Sequence, residues 1–145
     1  MYDGRVKPRA FWALAVSVAT TVGCGAERPA AWTYISPAII QPNCATSSCH
    51  SRLTASAGLD LSDIESGYRS LMAQKLPDGS GRPRNEYNDK TGAPRPLVTP
   101  GNPSGSRMLN MLRGFGAPLM PPDRPLPEAD IALIESWILE GASHE

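Results

Sequence analysis

The 145 residues carry 14 Lys and Arg against 14 Asp and Glu, which leaves neither a basic surplus for nucleic acid nor an acidic tail. Gly 13 and Pro 15, with aromatic residues at only 6%, argue against a coiled coil, a polytopic membrane protein and a large α/β enzyme core. The composition permits one small, loop-rich domain that needs a staple to fold.

The chain opens with Arg5, Lys7 and Arg9 against Asp3, followed by an apolar run from Ala10 to Val22. That run is shorter than the ~20 residues a transmembrane helix needs, and a basic start before a short apolar stretch is a secretory signal pattern. It ends Thr21-Val22-Gly23-Cys24. Small residues before a cysteine resemble the lipobox of bacterial lipoproteins, although Thr21 stands where leucine is usual. The resemblance implies a signal peptide over residues 1–23, acylation of Cys24 and a membrane anchor. Two or more acyl chains hold stably where one does not. Gly25, rather than Asp, after the cysteine matches sorting to the outer membrane, facing the periplasm. An inner-membrane anchor and a soluble periplasmic form are the alternatives. Removing residues 1–23 leaves a net charge of −2, which points to no strongly charged partner.

Residues 24–33 read as a tether, and the domain is expected over 34–145. Ser36-Pro37 offers a helix start and Pro42 a stop. Ser62-Asp63-Ile64-Glu65 has the form of a capping box, and Ile64, Tyr68, Leu71, Met72 and Leu76 share one helical face. Residues 78–96 hold three Gly and three Pro and little that is apolar, so a long mobile loop is expected there. After the turn Pro100-Gly101-Asn102-Pro103, Ser104 can cap a helix with Met108, Leu109, Met111 and Leu112 as its stripe. Gly114 and Gly116 end it. Leu119-Met120-Pro121-Pro122 must be extended and stiff. A last helix starts at Pro127, carries Ile131, Ile134, Trp137 and Ile138 on one face, and ends at Gly141. No alternating strand pattern of useful length and no internal repeat are seen. The fold class is all-α, with three to four short helices and long connections.

The chemistry concentrates in Cys44-Ala-Thr-Ser-Ser-Cys49-His50. With Cys24 assigned to the anchor, two cysteines remain in an exported chain, and a disulfide is the simplest use of such a pair. His50 directly after Cys49 adds a second possibility, because a cysteine pair ending in Cys-His is the attachment signature of c-type haem. Two thiols can add to the two vinyl groups on one porphyrin edge, and the adjacent histidine then lies under the iron. Four residues separate the cysteines here, where the standard signature has two.

In order along the chain, several segments resemble the short cytochrome c domains of bacterial lipoproteins, of the planctomycete type. They are the apolar stretch Ile35 to Ile40, Cys49-His50, Gly58-Leu59-Asp60-Leu61-Ser62, and Val98-Thr99-Pro100-Gly101-Asn102-Pro103 with Ser106. Met120-Pro121-Pro122 and the final helix with Trp137-Ile138 complete the set. The similarity covers roughly Tyr34 to Ala142. It implies a cytochrome c-like fold around haem c and its iron, one-electron transfer with redox partner proteins, and no catalysis of its own. It also implies thioethers from Cys44 and Cys49, His50 as proximal ligand and Met120 as distal ligand. A separate physical case exists for Met120. A distal ligand must come from a segment crossing the haem face, Pro121 and Pro122 stiffen such a segment, and a thioether is a soft donor that raises the potential.

Met72, Met108 and Met111 read as core packing, Trp137 as a core or haem-wall residue, and His144 as part of a fraying tail. A zinc site would have at most Cys44, Cys49 and His50, with only His144 and carboxylates to complete four, where structural sites usually show two spaced pairs. A catalytic thiol would need a base oriented by a third group. The remaining alternative is a haem-free lipoprotein module of binding or structural role, closed by a Cys44–Cys49 disulfide.

Overall fold

The computed structural model describes Met1, residues 27–74 and residues 96–145. The signal segment, Cys24, the start of the tether and nearly all of the expected 78–96 loop lie outside the described residues. So do Leu76 and Pro77. Among the described residues the regular structure is entirely helical, in keeping with the all-α class. None of these helices is long and apolar enough to cross a membrane.

The first helical body starts earlier than the sequence suggests. Helix α1 (Trp32–Ile35) runs without a break into a π-helical turn (Ser36–Ile40) and then α2 (Gln41–Cys44), the junction residues all keeping right-handed helical torsions. Ser36 therefore does not cap a helix. It is fully buried inside the rod and accepts a hydrogen bond from the Gln41 side chain at 3.1 Å. Pro42 does not stop the rod either. Proline lacks an N–H and its ring clashes with the carbonyl four residues back. The Gln41 N–H bonds instead to Ser36, five residues back, and this wider turn gives the ring room. The body also reaches back beyond residue 34, since Trp32 is fully buried and Arg28 pairs with Asp130.

Helix α3 (Ile64–Leu71) is capped by Asp63, whose carboxylate accepts the Ser66 N–H at 2.8 Å. The sequence assigned that cap to Ser62. The Ser62 hydroxyl donates instead to the buried Asp60 at 2.6 Å, so the local competition for a carboxylate moves the cap one residue on. The Glu65 side chain pairs with Arg69 rather than reaching back. Helix α4 (Arg107–Arg113) begins after Ser106, not Ser104. Ser106 is fully buried, accepts the Thr99 N–H at 2.9 Å and donates to the Asn102 carbonyl at 2.9 Å. This one hydroxyl satisfies the turn that the sequence marks by Pro100 to Pro103. Gly114 closes α4 in the left-handed conformation at φ 68, a conformation that a Cβ would penalise. Helix α5 (Glu128–Leu139) buries Ile131, Ile134, Trp137 and Ile138, the stripe its spacing predicts.

The rod packs on α3 and α5, and α4 packs on α5. At the centre Trp32 stacks on Trp137 with centroids 5.0 Å apart. Both indoles are satisfied, Trp32 by the Ile64 carbonyl at 2.8 Å and Trp137 by the Ser143 carbonyl at 2.7 Å. Trp137 is thus a helix–helix contact. The residues flanking 75–95 are drawn together by the Leu97 N–H, which bonds to the Leu71 carbonyl at 2.8 Å. Met108 then donates to the Leu97 carbonyl at 2.9 Å. These two bonds join the end of α3 to the start of α4.

Candidate functional site

Cys44 is the last residue of α2, and the chain then folds tightly back. The Cys49 N–H bonds to Thr46 and the His50 N–H to the Cys44 carbonyl, each at 3.0 Å. The four residues between the cysteines form a closed turn that returns His50 to the end of the rod. The next turn is unusual. Ala55 and Ala57 both have positive φ, at 40 and 54, in the region that a side chain disfavours. This conformation carries the Ser56 carbonyl to His50 Nδ1, 3.0 Å away. In the neutral ring, Nδ1 donates that bond and Nε2 carries the lone pair. Burial holds the His50 pKa below its ordinary value, opposed by the Ser56 and Leu59 carbonyls. Burial thus favours the neutral imidazole, the form that can ligate a metal.

The two thiols differ. Burial pushes Cys44 up to about 11, with the charge of Cys49 adding to the effect. Hydrogen bonds from Thr46 and Ser48 draw Cys49 below its ordinary value. Both stand as free thiols, partly exposed.

On the opposite side, the chain after α4 turns at Gly114 and Gly116, then runs irregularly through Met120, Pro121 and Pro122. Met120 is half-buried, and its N–H is held by the Met111 carbonyl at 2.9 Å. The base of this excursion is clamped by Arg113, which bonds Glu128 at 2.9 Å and Glu135 at 2.7 Å on α5. The guanidinium holds the Glu135 carboxyl below its usual range.

Between the two sides lies a small open cleft of ≈ 80 Å³, below the roughly 300–1,000 Å³ span of cofactor and ligand sites. Cys44, Cys49, His50 and Met120 all line it. These four sequence-predicted residues thus come together from segments 70 residues apart. Leucines 59, 61, 71, 97 and 112 make most of the remaining wall, so the lining is almost wholly apolar. Met108 and Met111, expected as core, pack on the core and also face the cleft. Their i, i+3 spacing put them on one side of α4, but nothing local said which wall that side would meet. Leu71 and Leu112 were legible as helix-stripe residues and Leu59 and Leu61 as part of the Gly58–Ser62 segment, but not as one wall, which forms through the Leu61 N–H to His50 carbonyl bond at 2.8 Å and the Leu71–Leu97–Met108 bonds.

His144 lies away from the cleft. Its ring stands edge-on to Tyr68, with Nε2 2.9 Å from a Glu65 oxygen but without hydrogen-bond alignment. Among the described residues, no three His, Cys, Asp or Glu side chains gather as ligands of one ion. The donors are spread along an apolar slot instead. The donors on this slot are one imidazole, one thioether close by two other methionines, and two thiols, a soft set in an apolar lining. At ≈ 80 Å³ the opening is smaller than a porphyrin, so its walls must part to admit one. Comparison with protein-family models, curated proteins and solved structures returns no match.

Proposed function

We propose that this chain is an exported electron carrier that holds a c-type haem in the cleft and is anchored to a bacterial membrane through acylated Cys24. The observation that carries the proposal is the meeting of Cys44, Cys49, His50 and Met120 on one apolar cleft. In this reading Cys44 and Cys49 tether the macrocycle edge by thioethers. His50 offers Nε2 as the proximal ligand, with its ring fixed by the Ser56 carbonyl. Met120 offers the distal thioether. The bound haem would supply a one-electron iron couple. The protein's own share is orientation, exclusion of water by the leucine walls, and tuning of the potential by the soft ligand. With His50 and Met120 both holding the haem, the chain would leave no open position for a substrate and would act as a carrier rather than an enzyme. Its partners are redox proteins and, through the anchor, a membrane; nucleic acid has no role. The cytochrome c-like arrangement of helices belongs to the same proposal.

The test uses the exported chain from a host with c-haem attachment machinery. His50→Ala is expected to abolish the low-spin haem spectrum, and retention of that spectrum would remove His50 from the site. Cys24→Ala is expected to release the protein from membranes. Continued membrane binding would make the first segment an uncleaved anchor.

A further inference from the structure

Three methionines line the cleft rather than one: Met108, Met111 and Met120. Met111 lines it beside Met120, and the two backbones are joined by the Met120 N–H to Met111 carbonyl bond at 2.9 Å. Their settings differ. Met120 sits in an irregular segment between Gly116 and α5, whereas Met111 sits on α4, a helix fixed at both ends. Its start is bonded to Leu97 through the Met108 N–H, and its end is closed by Gly114. Met108 lies one turn earlier on the same face but is buried against the core at 7% exposure. Met111 is half-buried and stands on the cleft side of that packing. A methionine side chain has three rotatable bonds and a soft sulfur, so it can reach a metal that a leucine would only pack against.

We infer that Met111 is a reserve distal ligand, a second thioether held against the same face of the cleft as Met120 and able to take its place on the iron. This inference rests on the haem reading. It assigns Met111 a role that its helical spacing alone would give to core packing. The exchange is one of neutral thioether donors. Met120 Sδ leaves the iron and Met111 Sδ binds, with no change in charge or oxidation state. The iron would stay low-spin and sulfur-ligated when the Met120 thioether is removed or displaced.

The experiment uses the full haem-loaded chain with ¹³C-labelled methionine methyl groups. In the reduced state the ring current moves the methyl of the ligating methionine far from the others. The wild type is expected to show one shifted methyl, lost in Met120→Leu and replaced there by a different one. That second signal must vanish in Met120→Leu/Met111→Leu, where the iron becomes high-spin. Met111→Leu alone, a volume-conserving change that keeps α4 packed, is expected to retain the wild-type signal. The inference is overturned if Met120→Leu alone is high-spin with no shifted methyl. It is equally overturned if the replacement signal survives in the double variant. A wild type without covalent haem overturns the haem reading itself and this inference with it.

Discussion

The two ends of the first helical rod meet opposite environments. At the Trp32 end, everything is closed. Trp32, Ile35, Ile134, Trp137 and Ile138 are essentially inaccessible, both indole N–H groups have partners, and the Tyr68 hydroxyl donates to the Ala142 carbonyl at 3.1 Å. At the Cys44 end, the same rod opens onto a cleft of leucines and sulfur atoms with hardly a polar group besides Asn43 and His50. The difference teaches how so small a domain can divide its work. The tryptophan side is packed to hold the fold, and the cleft side leaves apolar surface in need of a covering body. A covalently bound cofactor there would bury that surface and stabilise the fold through the apolar area removed from water.

Three substitutions probe this division, beginning with the largest expected effect. Trp137→Ala removes the stack on Trp32 and the bond to Ser143, and is expected to cost about 3–5 kcal/mol. Denaturant unfolding should show that loss in both the haem-free and the haem-loaded chain. A loss confined to the loaded form would place Trp137 on the cofactor side and break the comparison. Ser106→Ala leaves the part-buried Thr99 N–H without its partner and is expected to cost about 1 kcal/mol. It should shift the unfolding midpoint while leaving axial ligation intact, because Ser106 holds the turn before α4 and does not line the cleft. Ala57→Gly is expected to stabilise by about 1 kcal/mol, since φ 54 strains an L-residue and not glycine. No gain in a thermal melt would mean that this turn relaxes in solution, and with it the Ser56 carbonyl that orients His50.

Much of the closed side was legible in the sequence, because it follows helical period. The α5 stripe and the glycine that ends α4 were both readable from spacing and turn chemistry. The start of the rod was not. Two prolines read as a cap and a stop, whereas a π-helical turn accommodates both, and Trp32 becomes central only through its contact with a residue about a hundred positions away. The cleft was legible in part. The cysteines, His50 and Met120 stand out by motif, and the structure brings them to one slot. Its leucine walls and Met111 depend on how α3 and α4 are joined through Leu97, which no local pattern encodes. Nor does composition foretell that two alanines adopt left-handed torsions beneath His50. Such strain is settled by the bonds around the turn.

The most direct measurement is a visible spectrum of the exported wild-type protein in reduced form, paired with a denaturing gel stained for covalent haem. The account predicts sharp low-spin α and β bands and a stained band at the size of this chain, four-residue spacing notwithstanding. A colourless protein with Cys44 and Cys49 joined in a disulfide would contradict it and leave a haem-free lipoprotein module in its place.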